Sequence, residues 1–265
     1  MDLNLGDVET TALIPLAIKA SETLRDNPRI KDPKAVEIVK SLNIDTKPYD
    51  KFMSHEGVIA RTIMLDRQLK DIIASEPESI IINIGSGFDS RFSRVDNGKI
   101  LWFDIDLPDS INARKKVFPE QKRVTMIAGN ALENAWCKEV KKKVGQQDIK
   151  PVILAEGLFM YFTMKQIQTF LELIKSEFSA GGTLIAEQNN KLMQQNEKHH
   201  DTVKSTKAHF ASGTDSGQEI ADLVSGFDLI EEHSFNEEMK KYSIRAKLFA
   251  LIFPKFNDRW ATFKW

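Results

Sequence analysis

Apolar positions in this chain follow two periods. Up to about residue 75 they recur at helical spacing, and from residue 80 onward short apolar runs alternate with amphipathic stretches. Glu9 to Leu24 carries Leu13, Leu16, Ala17, Ala20 and Leu24 on one helical face. Asp32-Pro33 predicts a second helix, because proline at the first helical position lacks only an N–H that would have no partner there. Ala35, Val36, Ile38, Val39 and Leu42 follow it. Ser54 to Ala74 is a third helix, with Val58, Ile59, Ile63, Leu65, Leu69, Ile72 and Ile73. Residues 1–75 therefore read as a helical lid, and residues 76–265 as the main domain on which it packs.

Ile80, Ile81, Ile82 and Ile84 form the β-branched run that a strand buried on both faces needs. Further strands are predicted over Ile100–Phe103, Lys122–Gly129, Val152–Ala155, Thr183–Glu187, Phe227–His233 and Trp260–Trp265, the last after a long connection containing Tyr242 to Phe253. Helices fall between them at Leu132–Val144, at Thr163–Phe178 and at Ile220–Ser225. Capping boxes open two of these, Thr163 with Gln166 and Ser216 with Glu219. Residues 189–217 are polar and irregular and read as a partly helical insertion over the active-site edge. Strands alternating with helices predict an α/β fold: a doubly wound, mostly parallel, seven-stranded sheet with helices on both faces and the helical lid at its N-terminal end.

In such a sheet a ligand sits beyond the carboxyl ends of the strands. The first strand exits into Gly85 and Gly87, where a tight turn lets a ligand approach the backbone. The second ends in Asp104 and Asp106, 17 and 19 residues past Gly87, near the ~20-residue offset at which an acid meets a ribose hydroxyl. The third ends near Asn130 and the fourth at Glu156 and Gly157, with Tyr161 slightly further on. The third glycine of a dinucleotide fingerprint is replaced by Ser90, and Asp89 crowds the turn, which disfavours a pyrophosphate. A row of acceptors suits a ligand with ribose hydroxyls, an amine and an ammonium but no phosphate. S-adenosylmethionine is such a ligand.

Composition narrows the class. A net charge of −1 creates no global field toward nucleic acid or anionic lipid. The single cysteine, Cys137, excludes an internal disulfide and any multi-cysteine zinc site. No apolar run approaches the ~18 residues of a membrane helix. The N-terminus lacks the basic start and apolar core of a secretory signal, so a cytoplasmic location is expected. No Ser-His-Asp motif or histidine-rich metal pattern is evident. His199, His200 and His209 read as surface residues, and His55 and His233 as candidate bases. Arg91, Arg94 and Arg245 are candidates for holding a substrate carboxylate, and for Arg91 and Arg94 ion pairing to nearby acids is at least as strong a reading.

Six segments carry a family resemblance: ETTALIPLAIKASET at Glu9–Thr23, KDPKAVEIV at Lys31–Val39, ARTIMLD at Ala60–Asp66, INIGSGFDSRFSR at Ile82–Arg94, FDIDLPD at Phe103–Asp109 and ILAEGLFMYF at Ile153–Phe162. Over its first two thirds the chain resembles the leucine carboxyl methyltransferase and tetracenomycin polyketide O-methyltransferase group, class I enzymes that use S-adenosylmethionine. The resemblance implies that Lys19 and Arg61 bind the methionine carboxylate of the cofactor and that Gly85 and Gly87 admit it to the backbone, with Asp89 beside the turn. It implies Asp106 on the ribose, with Asp104 the competitor for that role. Asn130, with Ala131 beside it, stands where the family usually has an aspartate next to the adenine. Glu156 would meet the ammonium, and Tyr161 would lie near the transferred methyl as the candidate catalytic residue. The implied function is O-methylation of a carboxylate or hydroxyl on a small-molecule or peptide substrate. A nicotinamide-dependent oxidoreductase and a non-catalytic S-adenosylmethionine-binding protein remain the alternatives.

Overall fold

Ile81 packs to one side of the sheet and Ile82 and Ile84 to the other, which places β1 (Ile80–Ile84) at the centre of a seven-stranded sheet in the computed structural model of this chain. The structure describes residues 9–195, 209–253 and 257–265. The remaining strands are β2 (Leu101–Asp106), β3 (Val124–Ala128), β4 (Val152–Ala155), β5 (Thr183–Gln188), β6 (Asp228–Ser234) and β7 (Arg259–Lys264). Their order is β3-β2-β1-β4-β5-β7-β6. β1 to β5 pair in parallel, and β7 enters antiparallel between β5 and β6. All seven strands predicted from the sequence are present, and the doubly wound, mostly parallel sheet is as expected. The second strand runs three residues beyond its predicted end, which puts Asp104 inside it and Asp106 at its tip.

The helices are α1 (Leu13–Thr23), α2 (Pro33–Ser41), α3 (Phe52–Ser75), α4 (Phe92–Val95), α5 (Pro108–Val117), α6 (Ala135–Val144), α7 (Met164–Glu177), α8 (Lys191–Gln195), α9 (Gln218–Ala221), α10 (Asn236–Met239) and α11 (Ile244–Ile252). On one face of the sheet, Trp136 and Val140 of α6 and Phe170, Leu171 and Ile174 of α7 pack on Ile82, Ile84, Phe103 and Ile105. On the other, Leu65, Leu69 and Ile73 of α3 pack on Ile81, Trp102, Val152 and Leu154. The third helix of the prelude is thus one layer of the fold. α1 faces two ways: Ile14 and Ile18 meet Val58 and Ile59 of α3, and Leu16 and Ala20 meet Ala35 and Ile38 of α2 together with Phe88. This docking holds α1 against the turn after β1.

The local signals succeed where their partners are local. Asp32 caps α2 by accepting from the Ala35 N–H at 3.0 Å. The capping box at Thr163 forms, with Thr163 N–H donating to Gln166 Oε1 at 2.9 Å. The expected box at Ser216 does not form. Gly217 occupies the cap position of α9, and Glu219 instead accepts from Asp215 N–H and pairs with Lys191, a stronger charge-assisted partner. α5 was not foreseen, because PDSINARKKV carries too few apolar residues to show a stripe. Among the described residues no helix is long and apolar enough to cross a membrane.

Candidate functional site

A cavity of about 570 Å³ lies over the carboxyl ends of β1, β2, β4 and β5, within the ~300–1,000 Å³ range of small-molecule sites. Gly85, Gly87 and Asp89 from the first turn line it, as do Asp106, Asn130 and Ala131 from the second and third. Glu156 and Tyr161 follow β4 on the same rim, and Lys19 of α1 and Arg61 of α3 close it from the prelude. The structure therefore brings ten of the eleven sequence-derived site residues to one cavity. The exception is Asp104.

The glycine turn is set by backbone geometry. Gly85 and Gly87 have φ of +68° and +44°, in the left-handed region that glycine adopts freely. A Cβ on Gly87 would stand 2.9 Å from that of Ala12, so α1 could not approach so closely over a larger residue. Asp106 fixes the turn from the next strand, its Oδ2 accepting from Gly87 N–H and its Oδ1 from Leu107 N–H, both at 2.8 Å. Burial raises its pKa against the pull of those two amides.

Asp104 corrects the expectation of a second cavity-facing aspartate. It is fully buried one step down the strand, where Arg114 of α5 bonds its Oδ2 at 2.8 and 3.1 Å and Trp102 Nε1–H donates to its Oδ1 at 2.9 Å. Alternation points residues 104 and 106 to the same face, but Arg114 covers only the first. Burial raises the Asp104 pKa in spite of Arg114 and Trp102. Its role is to hold Arg114, which donates to the carbonyls of Gly87 and Asp89 and so supports the glycine turn from beneath.

The cations of the site sit in a continuous ion-pair network. Lys19 Nζ lies 3.0 Å from Asp89 Oδ1, and Arg91 Nη1 lies 2.9 Å from Asp89 Oδ2. Arg91 also reaches Asp66 at 2.7 Å and Glu156 at 2.6 Å. Arg61 bridges Glu156 at 2.8 Å and Glu187 at 3.0 Å, and Glu187 accepts from Gly157 N–H at 2.7 Å. Arg94 joins Asp66 and Asp32. Burial pushes the Asp89 pKa up, but Arg91, Lys19 and Arg94 together hold it far below the usual carboxylate range. Glu156 is lowered the same way by Arg91 and Arg61, whereas burial leaves Glu187 raised. Arg91 and Arg94, read from sequence as candidates for a substrate carboxylate, are committed to these acids. Arg245 is exposed and stacks over Phe52 at 4.1 Å.

Two features of this network leave room for a cationic ligand. Five carboxylates (Asp32, Asp66, Asp89, Glu156 and Glu187) face four cations (Lys19, Arg61, Arg91 and Arg94), one negative charge in excess. The contacts of Glu156 are close but off the hydrogen-bonding directions, so its buried Oε2, Arg91 Nη2 and Arg61 Nε have no hydrogen bond. A carboxylate in that state can still accept from an ammonium. Asn130 is more committed, its Oδ1 already accepting from Leu132 N–H at 3.0 Å.

Beyond Glu156 the lining turns apolar, with Met160, Tyr161, Met193, Phe210 and Phe249. The Tyr161 hydroxyl donates to Thr11 at 3.4 Å, and burial raises its pKa. Two acids here were missed as site residues: Glu187, read only as a strand end, and Asp258, which precedes β7. An antiparallel last strand starts at the edge where parallel strands end, and that reversal was the one available signal. Neither candidate histidine base is in the lining: His55 lies buried between Asp50 and Glu22, and His233 of β6 pairs with Glu237 of α10. His209 is exposed, while His199 and His200 lie outside the described residues.

Comparison with known proteins agrees with this geometry. The sequence profile of leucine carboxyl methyltransferases matches residues 12–175. The tetracenomycin polyketide synthesis O-methyltransferase TcmP of Streptomyces glaucescens is 23% identical over 185 residues, 69% of this chain and 66% of that protein. This chain thus spans just under two thirds of that relative. A methyltransferase candidate from Thermobifida fusca YX shares the fold at a TM-score of 0.62 and 11% identity, over 95% of this chain and 93% of its own. The magnesium protoporphyrin IX methyltransferase of Synechocystis PCC 6803, with bound S-adenosylhomocysteine, does so at 0.53 and 10%, over 88% and 99%. Those neighbours establish the class I methyltransferase fold; with more than half of its length matched by the family profile, the chain belongs to the leucine carboxyl methyltransferase family.

Proposed function

We propose that this protein is an S-adenosylmethionine-dependent methyltransferase that methylates an oxygen of a small molecule. The observation that carries the reading is the row of acceptors along one sheet edge, from Asp106 to the incompletely hydrogen-bonded Glu156, over a turn held open by Gly85 and Gly87. Asp106 accepts from the ribose hydroxyls, Glu156 from the ammonium, and Lys19 and Arg61 pair with the carboxylate. Asn130 and Ala131 flank the adenine. The net negative network suits a ligand whose sulfonium and ammonium outnumber its carboxylate. The cofactor supplies an electrophilic methyl when bound. The protein supplies alignment, since in-line displacement depends on proximity and orientation, and Tyr161 with its apolar neighbours keeps water from the acceptor. The polyketide O-methyltransferase relative supports oxygen on a small molecule as the target.

Thermal unfolding with added ligand tests this. S-adenosylhomocysteine at ~100 times its dissociation constant should stabilise the protein by about 2.7 kcal/mol, several degrees in Tm. NAD at the same concentration should leave Tm unchanged. A shift with NAD and none with S-adenosylhomocysteine would sink the reading.

A further inference from the structure

We propose that α11 docks this protein on an anionic phospholipid surface, lying along the headgroup layer with its outer face turned to the acyl chains. This goes beyond the methyltransferase reading and does not depend on it. The first ground is an apolar stripe. Six of the ten exposed large hydrophobic side chains among the described residues fall between Tyr242 and Phe253. Single exposed apolar residues are ordinary, but a contiguous patch marks an interaction surface. Ile244, Leu248, Leu251 and Ile252 are 80%, 53%, 69% and 67% exposed. They recur at i, i+4, i+7 and i+8, so they form one face of the helix. The opposite face is the one the fold uses: Ala246 is buried in the cluster with Phe235 and Met239, and Phe249 lines the cavity.

The second ground is charge. The chain has 37 basic and 38 acidic residues, yet residues 239–253 hold four cations (Lys240, Lys241, Arg245 and Lys247) and no acid. All four are exposed. Among the described residues only Lys241 has an acid at ion-pair distance, the buried Glu238 at 2.6 Å. The other nearby acid, Glu237, pairs with His233. At 3.6 residues per turn, Arg245 and Lys247 fall on opposite sides of the apolar stripe. Basic side chains so placed reach lipid phosphates with their charged ends while their stems lie along the acyl region. A net charge near zero thus conceals a local basic, apolar face.

The third ground is fit. Nine residues rise only ~14 Å against the ~30 Å of a hydrocarbon core, so the helix lies along the interface and does not cross it. A second copy of the chain fits the stripe less well. A symmetric contact would bring Arg245 and Lys247 toward their own counterparts, with no acid in the segment to separate them. An anionic lipid surface meets both the stripe and its flanking cations. Because Phe249 projects from the same helix into the cavity, docking sets the apolar end of that cavity beside the bilayer.

Sedimentation of the full chain with vesicles tests this. Vesicles of equimolar phosphatidylcholine and phosphatidylserine should bind the protein roughly tenfold more tightly than phosphatidylcholine alone, or more, and the difference should shrink as salt is raised. Leu248→Gln with Leu251→Gln should weaken binding to the mixed vesicles by roughly tenfold or more, and so, separately, should Arg245→Gln with Lys247→Gln. Glutamine is a good helix former, and none of the four residues lines the cavity, so both variants should keep the wild-type Tm. A wild type that ignores the mixed vesicles, or binds both kinds equally, overturns the proposal. So does either variant binding the mixed vesicles as tightly as the wild type. Sedimentation velocity without lipid should show no self-association through this face. A wild-type dimer that Leu248→Gln with Leu251→Gln turns into monomers would give the stripe to a second copy and overturn the lipid assignment.

Discussion

Arg91→Leu should destabilise the protein by about 3–5 kcal/mol at pH 7, the usual effect of removing one partner from a buried ion pair. The guanidinium is fully buried and touches Asp66, Asp89 and Glu156 at once. No other described side chain joins all three acids. Leucine keeps apolar volume but leaves five carboxylates against three cations. Each stranded acid retains a partner, Arg94 for Asp66, Lys19 and Arg94 for Asp89 and Arg61 for Glu156, which is why the fold should survive as a weakened native state. The loss should depend on pH in a fixed direction. In the wild type Asp89 and Glu156 have lowered pKa values, so their contribution is present above their unfolded values and fades as pH falls through the folded ones. Without Arg91 those carboxyls shift upward and oppose folding as pH rises. Both changes act the same way, so the gap between variant and wild type should widen from pH 4 to pH 7. Denaturant unfolding at the two pH values measures it. A cost under ~1 kcal/mol, or a gap that does not change with pH, would show that the network does not hold the site together.

The parts of the site legible in the sequence are those where a short segment makes its own geometry. The isoleucine run, Gly85, Gly87 and the aspartate at 106 are readable because a strand, its exit turn and the tip of the next strand lie within thirty residues. The capping box at Thr163 is readable for the same reason. The ion-pair network is not, because its partners are distant in the chain: Arg94 meets Asp32 and Asp66, and Arg61 meets Glu187. Arg91 and Arg94 near the cofactor turn could therefore be read either as substrate ligands or as partners of nearby acids, and the structure makes them internal struts. Asp258 was hidden by topology. Nothing local marks β7 as antiparallel, and only that reversal carries the residue before it to the carboxyl-end edge. The misreading of Asp104 came from strand length, since three more paired residues moved it from a tip to an interior position.

Asp104→Ala and Asp106→Ala should therefore separate into a stability variant and an affinity variant. Losing Asp106 removes a cavity-facing carboxylate that anchors Gly87 N–H and stands where ribose hydroxyls would donate. The expected effect on S-adenosylhomocysteine binding is about 1.5–3 kcal/mol, the range for hydrogen bonds to a charged group, or roughly 10- to 150-fold in dissociation constant. The fold should lose less, because Asp106 is only partly buried and its amide partners lie at a turn that water can reach. Losing Asp104 strands Arg114, 3% exposed, together with Trp102 Nε1–H and Asn83 Nδ2–H, in the interior. Arg114 keeps the carbonyls of Gly87 and Asp89 and a more distant attraction to Asp106, but loses its only direct ion pair among the described residues. The cost should be about 3–5 kcal/mol of stability, while binding measured well below the variant's midpoint should weaken less than in Asp106→Ala. Titration calorimetry and denaturant unfolding on both proteins give the four numbers required. Equal losses of affinity would mean that Asp104 reaches the ligand through Arg114 and the glycine turn as strongly as Asp106 does directly, and the assignment of the ribose to Asp106 alone would fall.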